Sequence, residues 1–215
     1  MTLEGLRNYY FGESSKECVS MRETDEFQQI VLIRHGEPDV SREGLFSREA
    51  AKKYKEDYAA ASIINYKKTP VCHESLPKIC IFHSSLRRAE HTAELMFAEQ
   101  GFELRKSDRF VEFERLSIGF PLIKMPIRWW NFISRFLWFL GINQKGHERF
   151  PQARNRVKEG AEKLEAYAAE HRMAVLVAHG IYNKFLGFEL SRRKWKKVHD
   201  QGGGYLGFKI YAKEV

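Results

Sequence analysis

Gln29-Ile30-Val31-Leu32-Ile33-Arg34-His35-Gly36 and Ala174-Val175-Leu176-Val177-Ala178-His179-Gly180 are the stretches whose reading decides the fold. Each is an apolar, β-branched run without alternation, the pattern of a strand buried on both faces of a parallel sheet, and each stops abruptly at His-Gly. Between them, Ser47 as N-cap, Glu49 in the first turn and Tyr54 and Tyr58 four apart predict a helix to about Ala61. Lys78 to His83 reads as another buried strand, and Ser84 or Ser85 caps a helix running to about Gln100, where Gly101 stops it. A long helix spans about Pro151 to His171, the strand at Ala174 feeds a helix toward Leu190, and Tyr205 to Tyr211 is a last strand after the Gly202-Gly203-Gly204 turn. This alternation predicts an α/β fold of three layers, a mostly parallel central sheet with helices on both faces. Active sites of such folds lie beyond the carboxyl ends of the strands.

The 215 residues and 25.3 kDa suit one such domain with a small insertion and are too short for two comfortable domains. A hydrophobic share of 43% and a charged share of 30% exclude a disordered tail or a fibrous repeat. The net charge of +8, from 36 basic and 28 acidic residues, favours anionic partners without saying which. Cys18, Cys72 and Cys80 form no close pair, so a reducing compartment, the cytoplasm, is expected. Residues 1–26 read as a polar leader lacking the apolar core of a secretion signal, and residues 27–215 as the single domain.

Both histidines, His35 and His179, are placed at the carboxyl edge of the sheet. The glycine after each removes a Cβ, so that the backbone can turn and a ligand can approach. Where Gly180 opens a helix, its free N–H groups make a natural site for an anion. Arg87 and Arg88 stand in the first turn of a helix, where positive charge opposes the dipole, which points to an anion bound there; one of the two is expected to be merely solvated.

Arg34-His35-Gly36-Glu37, then Ser84-Ser85-Leu86-Arg87-Arg88-Ala89-Glu90-His91-Thr92-Ala93, then Val177-Ala178-His179-Gly180 resemble, in order and spacing, the histidine phosphatase superfamily with its phosphoglycerate mutase-like fold. The second motif maps the family's arginine to Arg88. The resemblance implies His35 as a nucleophile that forms a phosphohistidine, with Arg34, Arg88 and His179 around the phosphoryl oxygens. It also places Gly36, Glu37, Gly180, Asn183 and Arg87 at the substrate, although a capping or helix-surface role for Asn183 is an equal alternative. The acid that protonates the leaving oxygen is a carboxylate after the second motif's helix. Aligning on Phe110 selects Glu112, and Glu114 stays open, since the two share a face in an extended segment.

The implied activity is that of a histidine acid phosphatase-like phosphoric monoester hydrolase acting on a small-molecule phosphate ester, with no metal and no cofactor. Two alternatives are phosphoglycerate mutase-type transfer and a weakly catalytic member that binds a membrane or partner. Pro38 comes after Glu37 where many relatives carry a hydroxyl residue; it brings neither a side-chain donor nor an N–H, which weakens the mutase alternative. His91 stands where the family often has Gln.

A cap insertion is read at about residues 117–148. It holds three of the four tryptophans, Trp129, Trp130 and Trp138, in a helix with Pro126 at a first helical position and Gly141 past its end. Arg128, Asn131 and Arg135 form a narrow polar stripe along it. At about 22 Å the helix is too short to span a bilayer. It could pack on the core, close as a lid over a partly apolar substrate, or lie on a membrane surface with its arginines at the headgroups. The run Arg192-Arg193-Lys194-Trp195-Lys196-Lys197 is read as a solvated helix face or loop; no nucleic-acid motif accompanies it, and no nucleic-acid partner is expected. The oligomeric state is not legible.

Overall fold

A computed structural model of the chain describes residues 19–20, 26–64, 71–72, 78–114, 122–142 and 146–215. Most of the polar leader, with Cys18, and parts of the cap insertion lie outside the described residues.

Strand β2 (Phe27–Arg34) runs through the sheet's interior, parallel to β6 (Met173–Ala178) on one side. Next to β6 lies parallel β4 (Ile81–Ser84), and beyond it parallel β5 (Leu104–Ser107). On the other side of β2, β8 (Phe208–Glu214) pairs antiparallel and carries β7 (Lys196–Asp200) at the edge. The order is β5-β4-β6-β2-β8-β7, with β8 the one strand running against the rest of this sheet. Short β1 (Val19–Ser20) pairs in parallel with β3 (Val71–Cys72) in a separate two-stranded piece. The mostly parallel sheet is therefore as expected. The last strand, however, begins three residues later than read, leaving Tyr205 in the turn before it.

The period of two sorts β6 into two cores. Ala174, Leu176 and Ala178 face α4 (Phe150–His171) and α5 (Gly180–Arg192), whereas Met173, Val175 and Val177 face α2 (Arg87–Phe97) through Ala89, Ala93, Met96 and Phe97. Each of the larger of these side chains, Val, Leu, Met or Phe, contributes about 1.5–3 kcal/mol on withdrawal from water, which is why these strands read as unbroken apolar runs. A third cluster joins α1 (Arg48–Ala60), through Tyr54 and Tyr58, to Ile127 and Trp130 of α3 (Ile127–Phe139).

Several local expectations shift. Ser47 does cap α1, its Oγ accepting from the Ala50 N–H at 3.2 Å. Neither Ser84 nor Ser85 caps α2; its N-cap is Leu86, with no side-chain bond, because Ser84 is held by the strand end and the Ser85 hydroxyl donates to Asp108. Pro126 is the N-cap of α3 instead of its first helical residue. The basic run is not one solvated face. Arg193 bonds Glu162 and Glu165 of α4 and Glu189 of α5, Trp195 is buried with its N–H on Glu165, and Lys196 and Lys197 begin edge strand β7. Burial works against the Arg193 cation, but its three carboxylates outweigh it and raise the pKa. Lysines on an outermost strand also discourage pairing with another chain.

Candidate active site

Register sets the geometry. Because Ile33 lies opposite Val177 and Arg34 opposite Ala178, the two chains leave the sheet side by side, and the His35 and His179 rings come within 5.1 Å of each other, both buried. His35 Nδ1 is 2.7 Å from the carbonyl of Gly36. A carbonyl only accepts, so Nδ1 carries the proton and Nε2 holds a lone pair. The Arg88 Nε–H reaches that nitrogen at 3.3 Å. His179 Nε2 lies 2.8 Å from the Ser84 hydroxyl at the end of β4.

Arg88 is buried in the first turn of α2, with Nη1 donating to the Tyr58 carbonyl at 3.2 Å and its guanidinium 4.6 Å above the Tyr58 ring. One turn on, the Thr92 hydroxyl accepts from the Gly36 N–H at 2.9 Å and donates to the Arg88 carbonyl at 2.6 Å, locking strand end to helix. Arg34 lies 4.3 Å above the Tyr205 ring and donates through Nη1 to the Gly203 carbonyl, while its buried Nε has no hydrogen-bond partner among the described residues. Burial holds the Arg34 pKa below its ordinary value, against the pull of Tyr58 and Glu112 and with that of the neighbouring Arg42. Desolvated cations around a histidine lone pair favour an incoming anion, whose charge offsets what burial removed.

The two glycines make room for protein, and neither has a positive φ. A Cβ on Gly36 would lie 2.8 Å from Ile63 Cδ1, and one on Gly180 would lie 3.2 Å from Arg34 Nε. The anion expected at the N-terminus of α5 is the chain's own. Glu112 accepts from the N–H groups of Ile181 and Tyr182 at 3.2 and 3.0 Å, and from that of Phe113 at 3.0 Å. Arg135 of α3 comes within 3.8 Å of the same carboxylate. Glu114 turns away, to His147 at 2.6 Å and the Glu148 N–H at 3.1 Å.

Of the other candidates, Arg87 is exposed and pairs with Glu90 and Glu94, so it does not join the cluster. The Glu37 side chain is exposed, its carbonyl accepting from Ile64. Asn183 is buried and donates to the Ile33 carbonyl at 3.0 Å, bracing the end of β2. His91 accepts from the Ile63 N–H at 3.3 Å, tying α2 to the loop against Gly36. Ser84 and Thr92 stand inside the second motif, so the motif itself is their sequence signal. Tyr58 and Tyr205, which hold the two arginines, carry no local signal. Among the described residues no His, Cys, Asp and Glu group is arranged to hold a metal ion.

One edge of the sheet thus brings two buried histidines together with the guanidinium groups of Arg34, from a strand end, and Arg88, from the first turn of α2. Residues 30–203 match the histidine phosphatase superfamily, branch 1, and the chain belongs to that family. Its fold resembles that of the mycobacterial glucosyl-3-phosphoglycerate phosphatase, at a TM-score of 0.55 and 18% identity over 86% of this chain and 90% of that one. The same enzyme with vanadate gives 0.54 and 18% over 87% and 97%, and the structure described as mycobacterial hydrolase 1 gives 0.52 and 18% over 86% and 92%. No curated protein matches the chain.

Proposed function

We propose that the protein is a phosphatase that hydrolyses a phosphate monoester through a phosphohistidine on His35. The observation that carries this reading is the Nδ1–Gly36 contact, which turns the lone pair of Nε2 toward Arg88 in a buried, cationic setting. In the first step Nε2 bonds to phosphorus as the phosphorus–oxygen bond to the alcohol breaks, and Glu112 gives the leaving oxygen its proton. Arg34, Arg88 and His179 hold the phosphoryl oxygens throughout. In the second step water gives a proton to Glu112 and attacks phosphorus, the phosphorus–nitrogen bond breaks, and inorganic phosphate leaves His35 as it began. Glu112 suits this role better than Glu114 because it lies at the N-terminus of α5, next to His179, whereas Glu114 is engaged at His147.

Hydrolysis is preferred to positional transfer, since Pro38 brings no donor to help grip a second phosphate position. The test is turnover of an aryl phosphate together with trapping of acid-labile, base-stable label on the chain. Both are expected with the parent protein and neither with His35→Ala; turnover by His35→Ala at the parent rate would refute the nucleophile.

A further inference from the structure

Helix α3 has two apolar sides. Ile127, Trp130, Ser134 and Trp138 face inward and are buried, Trp130 donating to the Phe46 carbonyl at 2.9 Å and Trp138 to that of Glu148 at 2.7 Å. On the opposite side Trp129, Phe132, Phe136 and Phe139 are exposed by 47%, 60%, 53% and 41%, with Leu122 and Leu140 exposed beyond the two ends. The rings of Trp129, Phe132 and Phe136 form a continuous strip, Trp129 and Phe132 6.1 Å apart and Phe132 and Phe136 6.3 Å apart and stacked, while the Phe139 ring packs back on Trp138, Phe150 and Phe185. Core packing explains the inner side and leaves the outer one unaccounted for. A strip of large aromatics in water marks an interaction site.

Charge selects the partner. Residues 122–142 contain Lys124, Arg128 and Arg135 and no Asp or Glu. Lys124 and Arg128 are exposed, the latter on the polar stripe that borders the aromatic strip. Two nearby carboxylates are already paired, Glu148 with Arg156 at 2.7 Å and Glu189 with Arg193 at 3.0 Å. A second copy docked symmetrically on this face would set cation against cation with no acid in the segment to pair with them. An anionic lipid surface satisfies both features: rings enter the headgroup–acyl boundary and the cations meet lipid phosphates and carboxylates. None of the described helices is long and apolar enough to cross a membrane, so contact would be peripheral.

We propose that the outer face of α3 seats this protein on the surface of an anionic bilayer. The docking is independent of the hydrolytic reading and is tested without it. Full-length protein is sedimented with vesicles of phosphatidylcholine alone or with added phosphatidylserine. Binding should require phosphatidylserine and weaken with salt. Phe132→Ser/Phe136→Ser should lower partitioning by more than about tenfold, and Arg128→Ala by about fivefold. Trp130, Trp138 and Trp195 are buried, so Trp129 is a built-in probe; acyl-chain bromination should quench its fluorescence, and Trp129→Phe should remove that quenching. Circular dichroism and turnover of a soluble aryl phosphate should be unchanged in every variant. The proposal is overturned if the parent protein stays in the supernatant, if it binds phosphatidylcholine equally well, or if Phe132→Ser/Phe136→Ser sediments like the parent. It is equally overturned if the substitution instead dissolves a dimer.

Discussion

The two His-Gly strand ends are spelled almost alike and are built differently. His35 is fixed through Nδ1 by the carbonyl of the next residue, so its lone pair is presented on Nε2, opposite a guanidinium. His179 instead engages the Ser84 hydroxyl through Nε2, and the chain after it turns at once into α5, whose N-terminus Glu112 occupies. After His35 the chain enters a loop pinned by Thr92 and packed on Ile63. A shared sequence word therefore specifies a shared position, at the edge of paired parallel strands, and the neighbours set the geometry; in the proposed mechanism the first imidazole attacks and the second holds the phosphoryl group. His83, at the end of β4, repeats the Nδ1 contact of His35, at 3.0 Å from the Ser84 carbonyl. It is buried and precedes a serine, and no arginine is seen at its Nε2 among the described contacts.

The sharpest way to break this comparison is to remove each imidazole. His35→Ala should lower turnover of an aryl phosphate by at least about a thousandfold, the scale on which loss of a nucleophile registers. His179→Ala should lower it by about a hundredfold, the scale of one transition-state donor, and should still allow label to be trapped on His35. Loss of trapped label in both variants would make the two strand ends equivalent and the comparison wrong. Next in size is the carboxylate. Glu112→Gln should slow an alkyl phosphate by about a hundredfold and an aryl phosphate, with its better leaving group, markedly less, whereas Glu114→Gln should leave both near the parent rate.

Smaller effects separate the glycines. Gly180→Ala presses on Arg34 and should raise KM with the melting temperature nearly unchanged; Gly36→Ala presses on the end of Ile63 and should show mainly in thermal stability. The smallest effect concerns His83. Burial pushes its pKa below the ordinary value, so the unfolded chain binds a proton that the folded one resists. Stability from this group is intact above about pH 6.5 and declines as the pH falls through that value toward the folded one. Chemical denaturation across that window should show a shallower acid loss for His83→Gln, with turnover preserved.

Much of the fold was legible because strands buried on both faces leave unbroken apolar runs and helices leave caps and glycine stops, as at Ser47, Gly101 and Gly141. Strands β5 and β7 left no such trace: Leu104–Ser107 and Lys196–Asp200 lie at the sheet edges, half solvated, and are spelled with charges. The site was legible wherever a side chain leaves directly from a strand end or the first turn of a helix, as His35, Arg88 and His179 do. Tyr58 and Tyr205 reach the site only through tertiary packing, and nothing local to them announces it. Arg87 and Arg88 show the limit of spacing: adjacent residues on a helix point about 100° apart, and only packing tells which one faces inward.

The clasp around Arg193 has a consequence for when parts of the molecule open. With Glu112 at the first turn of α5 and Arg193 bonded to two carboxylates of α4 just past its last, that helix is fastened at both ends. Its amides should exchange with solvent only in events close to complete unfolding, while the exposed turn at Gly202–Gly204, held by a Gly202 N–H bond to Asp200, a Gly207 N–H bond to the Gly204 carbonyl and Arg34 on the Gly203 carbonyl, should exchange sooner. Accommodation of a bulkier ester would then fall to that turn, with α5 acting as the fixed wall against which it moves.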